Sequence, residues 1–251
     1  MKSEKNKIYF ASDFHLGDSK SFDENNKREL KIVKWLEKIK SNAKELYLVG
    51  DTFDFWYEYN DVVPKGNYRF FSKIIELIEN STDVFFITGN HDLWMNRYIE
   101  DEIGAKVRDE MLISINDKKI FITHGDEIHN KKLSYKFIKF LFKSKFCQAL
   151  FSTLHPTFAF SIAKMWSSVS RKKNESRSMD NQKIHDPLIN FCIRKNKISK
   201  NDYYIFGHLH APKIKIEDRF TYINLGDWIN HNTYAVFEKD QINLERFTLN
   251  E

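Results

Sequence analysis

Seven residues able to bind a metal stand directly or almost directly after short apolar runs. Asp13 and His15 follow Ile8-Tyr-Phe-Ala11, Asp51 follows Glu45–Val49, and Asn90 follows Asp83–Thr88. His124 follows Lys119–Thr123, and His208 and His210 follow Tyr203–Phe206. These are oxygen and imidazole ligands with no thiolate among them, a set that suits manganese, iron or zinc better than calcium. Seven are too many for one ion and enough for two, and a carboxylate such as Asp51 can bridge ions ~3.5–4 Å apart. The chemistry of such a pair is activation of water, polarisation of a phosphoryl oxygen and in-line displacement at phosphorus. Asp54, Asp92 and Asp126 are read as groups that orient ligands or loops. His91, beside Asn90, is read as a catalytic acid or a phosphoryl contact, with Asp51 the other catalytic residue. His129, His155, His185 and His231 lie outside these strand-end motifs and are assigned to surface or packing roles.

The apolar runs are the elements that must position these groups. Side chains alternate on extended backbone, so Asp13 and His15 are expected to point the same way from one strand end. Ligands in α/β sheets collect at the carboxyl ends of strands. Glycines beside the ligands allow sharp turns and close approach. Between the strands, Ile32, Trp35, Leu36 and Ile39 mark a helix over Glu24 to Lys40, and the next strand makes a parallel, right-handed β-α-β unit. Phe71, Ile74, Ile75 and Ile78 mark a second helix, and a third is expected from Leu93 to Ile103, stopped by Gly104. Met111 to Ile115, an Asn116-Asp117 turn and Ile120 to Thr123 read as a hairpin. Strands resume at Tyr203 and continue through Ile214–Ile216, Phe220–Leu225, Tyr234–Phe237 and Ile242–Phe247, taken as a second, antiparallel or mixed sheet. The expected fold class is α/β, two packed sheets with helices outside. Residues 1–127 and 191–251 form the core, and 128–190 a helical cap over one end.

The 251 residues, 41% hydrophobic and 30% charged, are those of a soluble globular protein. No apolar run approaches the ~20 residues of a membrane span. The N-terminus lacks the apolar core of a secretory signal, so a cytosolic location is expected. Cys147 and Cys192, the only cysteines, have no metal-like spacing and imply no disulfide. From Ile128 to Asn174 there are ten lysines and arginines and no acid, against a whole-chain net charge of +5, so the remainder carries −5. Nine aromatics are interleaved there, Phe137, Phe140 and Phe146 among them. Packing accounts for part of this pattern, and single-stranded nucleic acid is one ligand such a surface suits. The reading preferred is a cap that docks on an anionic membrane through lysines such as Lys136, Lys139 and Lys143 and admits acyl chains, with no nucleic acid partner.

Asp13-x-His15, Gly50-Asp51, Gly89-Asn90-His91-Asp92, His124-Gly125-Asp126 and Gly207-His208-x-His210 resemble the ordered motifs of the calcineurin-like metallophosphoesterases. The resemblance implies a binuclear-metal hydrolase of phosphate esters or anhydrides with a four-layer α-β-β-α sandwich. It implies one ion on Asp13, His15, Asp51 and His210, and another on Asp51, Asn90, His124 and His208. Gly50-Asp51-Thr52-Phe53-Asp54-Phe55-Trp56, the insert, and Leu225-Gly226-Asp227-Trp228 after Gly207-His208-Leu209-His210-Ala211-Pro212 resemble more closely the UDP-2,3-diacylglucosamine hydrolases of lipid A synthesis. That resemblance implies Mn²⁺ dependence, cleavage to UMP and 2,3-diacylglucosamine 1-phosphate, and a place on the cytosolic face of the inner membrane. Trp56, Lys164, Arg171 and Lys172 are then candidate substrate contacts. Several such hydrolases carry arginine where this chain has His91, the form of the wider superfamily. The alternatives are a phosphoesterase for another nucleotide or pyrophosphate, and a scaffold that has lost catalysis, against which all seven ligand positions are filled.

Overall fold

The computed structural model describes residues 5–17, 21–95, 97–130, 133–162, 165 and 183–249. Its first sheet has the order β11-β10-β1-β2-β3-β4. The strands are β1 (Lys7–Ala11), β2 (Ala43–Val49), β3 (Asp83–Ile87), β4 (Lys106–Arg108), β10 (Thr233–Glu238) and β11 (Gln241–Arg246). β1 to β4 are parallel neighbours, β10 pairs antiparallel with β1, and β11 pairs antiparallel with β10 at the edge. The second sheet, β5-β6-β7-β9-β8, is mixed. It contains β5 (Glu110–Ile115), β6 (Lys118–Thr123), β7 (Tyr203–Phe206), β8 (Lys213–Glu217) and β9 (Phe220–Asn224).

Alternation along the strands builds the layers. Ile8 and Phe10 of β1 join Tyr47, Val49, Ile122, Ile205 and Ile223 in the core between the sheets. Tyr9 and Ala11 turn the other way, onto α1 (Phe22–Ile39) and α2 (Tyr68–Glu79). The outer face of the second sheet is covered by Leu188, Ile189 and Cys192 of a helix at Asp186–Ser199. The result is the four-layer α-β-β-α sandwich, and burial of each large core side chain contributes roughly 1.5–3 kcal/mol. Helix α1 begins where Ser21 accepts the amide of Glu24, and it buries all four residues of its stripe, Ile32, Trp35, Leu36 and Ile39.

Two sequence expectations fail. The five strands from Tyr203 onward do not share a sheet, because β10 crosses over to pair with β1 and carries β11 with it. The helix over Leu93–Ile103 is replaced by a bridge between Trp94 and Tyr57, a single π-helical turn at Tyr98–Glu102, and β4. The Glu58 carboxylate takes the amides of Arg97 and Tyr98 and so fixes where that turn begins. Leu93 and Trp94 line a cavity instead of a helix stripe. Beyond β6 the chain forms α3 (Asp126–His129), α4 (Leu133–Lys143), α5 (Lys145–Ser152), the helical residues 156–162 (α6) and the helix Asp186–Ser199 (α7).

Candidate metal centre

Parallel pairing of β1, β2 and β3, and of β6 and β7, sends five loops off the same edge of the sandwich. Backbone hydrogen bonds tie them together: the Asp13 and His15 amides donate to the carbonyls of Gly50 and Asp51, and Gly207 donates to His124. The extended path expected across Asp13 and His15 is absent. Asp13 (φ 56°), His15 (46°), Asp51 (51°), His208 (69°) and His210 (52°) are all left-handed. Each therefore turns the chain at the ligand itself, at a cost of about 1–3 kcal/mol per residue. Gly89 is needed for proximity, since a Cβ there would collide with the Asp51 carboxylate, and at Gly50, φ 81°, it would enter the His124 ring.

The carboxylates are held by one oxygen and offer the other. Asp13 Oδ2 accepts the His208 amide at 2.9 Å, and Asp51 Oδ1 accepts the His91 amide at 2.9 Å. Asp13 Oδ1 then lies 3.1 Å from His210 Nε2 and 3.8 Å from His15 Nε2. The two imidazole nitrogens are themselves 3.1 Å apart. Asp51 Oδ2 lies 3.2 Å from His124 Nε2, 3.9 Å from His15 Nε2 and 4.0 Å from His91 Nε2. Two triads result, Asp13–His15–His210 and Asp51–His124–His208, each with ligand atoms within 4.8 Å of one another. A third, His15–Asp54–His91, shares His15 with the first. Asp92 accepts amides of Gly89, Thr52 and Phe53, which holds the loops of β2 and β3 in place.

The electrostatics suit a cation. Burial acts against charge on His15 and His124, yet Asp13 and Asp54 beside the first and Asp51 beside the second push both up to about 10. Burial would raise Asp51, but His124, His91 and His15 hold it well below the usual carboxylate range. His208 goes the other way, down to about 3, through burial and the neighbouring His124. Asp13 Oδ1, Asn90 Oδ1 and His124 Nε2 are buried without a hydrogen bond among the described residues. Such atoms cost about 1–3 kcal/mol each unless a partner meets them. The converging oxygen and nitrogen donors fit a binuclear divalent metal site.

Beside this centre lies an apolar cavity of about 300 Å³. Asn90 and His91 reach it from the metal side, with Phe55, Trp56, Leu93 and Trp94 around them, while Phe142, Phe151, Leu154 and Ile162 close it from the helical insert. A larger groove of about 680 Å³, between residues 63–66 and α2, contains none of the ligands. The insert is tethered by Trp94 Nε1 donating to the Phe142 carbonyl at 2.6 Å and Tyr57 Oη to that of Gln148 at 2.8 Å. Asp126 accepts Tyr135 Oη and Lys139 Nζ, each at 2.6 Å. Burial would raise Asp126, but Lys139 and two histidines hold it down at about 2. Lys139, read from the sequence as membrane-facing, is thus an internal ion-pair partner, and Lys143 is drawn to Asp109 and Glu127. The side chain of Lys136, and Lys164, Arg171 and Lys172, lie outside the described residues.

His185 has the packing role expected of it, its Nδ1 2.9 Å from Tyr222 Oη. Two other histidines assigned to the surface or to packing lie close to the centre. The His129 ring is 5.5 Å from that of His208, and His231 Nδ1 is 3.0 Å from Asp227 Oδ2, behind His210. The signal for Asp227 was in the sequence, in the Leu225-Gly226-Asp227-Trp228 stretch, but nothing there linked it to His210.

The family model for calcineurin-like phosphoesterases matches residues 6–212, and the chain belongs to that family. It is a metal-dependent hydrolase. Its similarity is particular as well as general: it is 35% identical to a UDP-2,3-diacylglucosamine hydrolase of Porphyromonas gingivalis, over 96% of this chain and 97% of that one. Hydrolases of the same name from Haemophilus influenzae (28% identity, 93% of this chain, 94% of that one) and Neisseria meningitidis (29%, 90% and 91%) are also similar. Among the described residues no helix is long and apolar enough to cross a membrane.

Proposed function

We propose that the protein hydrolyses the pyrophosphate of UDP-2,3-diacylglucosamine to UMP and 2,3-diacylglucosamine 1-phosphate. The observation that carries this is the apolar cavity set against Asn90 and His91, which offers greasy tails a place beside a phosphate-cleaving centre. The names of the similar hydrolases support it. In this reading Asp13, His15, Asp51 and His210 hold one ion, and Asp51, Asn90, His124 and His208 the other, with Mn²⁺ the metal used. When bound, such a pair supplies Lewis acidity to water and to the phosphoryl group. His91 contributes its own chemistry. Its Nδ1 is 2.9 Å from the Asp54 carbonyl and donates there, which leaves Nε2 aimed at the centre to meet a phosphoryl or leaving-group oxygen. Trp56 forms part of the acyl wall, and Lys164, Arg171 and Lys172 are proposed headgroup contacts.

The chain is divided in this proposal into a core, 1–127 and 191–251, and a cap, 128–190, that seats the protein peripherally on the cytosolic face of the inner membrane. Support for seating comes from apolar exposure rather than from Lys139, which is turned inward: Leu133, Phe137, Phe140, Phe146 and Leu150 are all more than half exposed. Mass spectrometry of products from UDP-2,3-diacylglucosamine with Mn²⁺, with and without chelator, tests the activity. Release of UMP only without chelator is expected. Faster hydrolysis of simple nucleotides than of the lipid nucleotide would favour the other phosphoesterase reading.

A further inference from the structure

The two triads differ in what stands behind their imidazoles. In the first, His15 Nδ1 faces Asp54 Oδ1 at 3.4 Å, and His210 Nδ1 faces Asp227 Oδ2 at 3.8 Å. In the second, His124 Nδ1 faces the Val49 carbonyl at 3.0 Å. Asp126, an acid outside that triad whose charge bears on His208, is already engaged by Lys139 and Tyr135. Asp227 is fully buried, and its Oδ1 accepts the amides of Ile229 (2.8 Å), Asn230 (2.6 Å) and His231 (3.2 Å). That arrangement fixes the carboxylate in the loop and leaves Oδ2 between two rings, His231 toward the surface and His210 toward the centre.

We propose that Asp227 is a positioning residue for His210 and that, with Asp54 behind His15, it makes the Asp13–His15–His210 half of the centre the tighter and first to fill. A carboxylate behind an imidazole fixes the ring's orientation and tautomer and strengthens it as a ligand, and losing one typically lowers metal affinity 10–100-fold. A peptide carbonyl carries no net charge, and a carboxylate already paired with an ammonium has little left to give. The inference rests on the binuclear reading of the site and on no particular substrate.

The test is a stepwise Mn²⁺ titration of chelator-stripped protein, with free Mn²⁺ read by electron paramagnetic resonance. Two affinity classes are expected, with His210→Ala abolishing the tighter and His208→Ala the weaker. Asp227→Asn keeps an oxygen for the three amides and should weaken only the tighter class, by ~10–100-fold. His231→Gln, which leaves Asp227 in place, should change neither. Should Asp227→Asn disturb the loop, as judged by circular dichroism, Asp54→Asn decides by the same isotherm. A single affinity class, or an Asp227→Asn isotherm in which the tighter class is unchanged while the loop is intact, overturns the proposal. Because the readout contains no substrate, it stands or falls separately from cleavage of the lipid nucleotide.

Discussion

The floor and the roof of the candidate site are built on opposite plans. On the floor, Asp13, His15, Asp51 and His124 are at most 2% exposed, and each is tied to another loop by backbone or carboxylate contacts. On the roof, Leu133 is 84% exposed, Phe146 77% and Phe140 70%. The described tethers include three aromatic side chains, the Asp126 ion pair and ring contacts around Phe151. A floor that must hold ions needs fixed donors. In the proposed reading the roof receives flexible tails, which calls for apolar surface held loosely enough to admit them. The difference separates chemistry from recognition along one chain.

Substitutions can test that separation. The largest effect is expected at Asp51→Asn, which removes charge from the carboxylate proposed to bridge the two ions. Turnover should fall to the level of chelator-treated protein with the circular dichroism spectrum unchanged, and near-normal turnover and metal content would sink the binuclear assignment. His91→Ala should lower kcat by ~10²–10⁴ while Mn²⁺ stoichiometry stays the same. Lost metal with unchanged kcat per bound ion would make His91 a ligand instead. On the roof, Phe140→Glu with Phe146→Glu should weaken partition onto anionic vesicles about a hundredfold or more, since each buried aromatic contributes about 1.5–3 kcal/mol. Hydrolysis of a short-chain soluble substrate should be spared, and equal vesicle binding by the variant would contradict membrane seating.

Phe151→Ala, in the cavity wall, should raise KM for the lipid nucleotide about tenfold on the same scale. A small aryl phosphodiester should be cleaved as before, and if both substrates suffer alike the wall is structural. The smallest effect lies outside both regions. Burial and Lys213 lower His185 to about 4 from an ordinary 6.5. The unfolded chain therefore takes up this proton first, and the contribution of His185 to stability is complete above pH 6.5 and lost as pH falls toward 4. Denaturant unfolding should show His185→Gln with a shallower loss across that window than the parent protein.

The floor was legible in the sequence because metal chemistry restricts residue types and because strand ends are marked by apolar runs. Every ligand position stood after a run that forms a strand, and the stripe Ile32, Trp35, Leu36, Ile39 faces the core as its spacing indicates. What the sequence hid was tertiary. The segment from Leu93 to Ile103 reads as a helix, but contacts of Trp94 with Tyr57 and with the Phe142 carbonyl override that reading. Counting lysines in the insert measured its charge and not its direction, since the partners of Lys139 and Lys143 come largely from outside the insert. Asp227 could not be matched with His210 from seventeen positions away, because the fold alone places a carboxylate behind that ring.

Five of the seven ligand positions sit in left-handed backbone. Strain of this kind is a property of the polypeptide before any ion arrives, and it concentrates where like-charged groups are also crowded together. Occupancy by metal then acts on folding as much as on catalysis, because a group that binds only the native state stabilises it by mass action. The melting temperature of the protein should rise with free Mn²⁺ even in the absence of any substrate. Scarcity of the ion would thus shorten the lifetime of the polypeptide itself, so that metal supply sets how much enzyme persists and not only how fast each copy works.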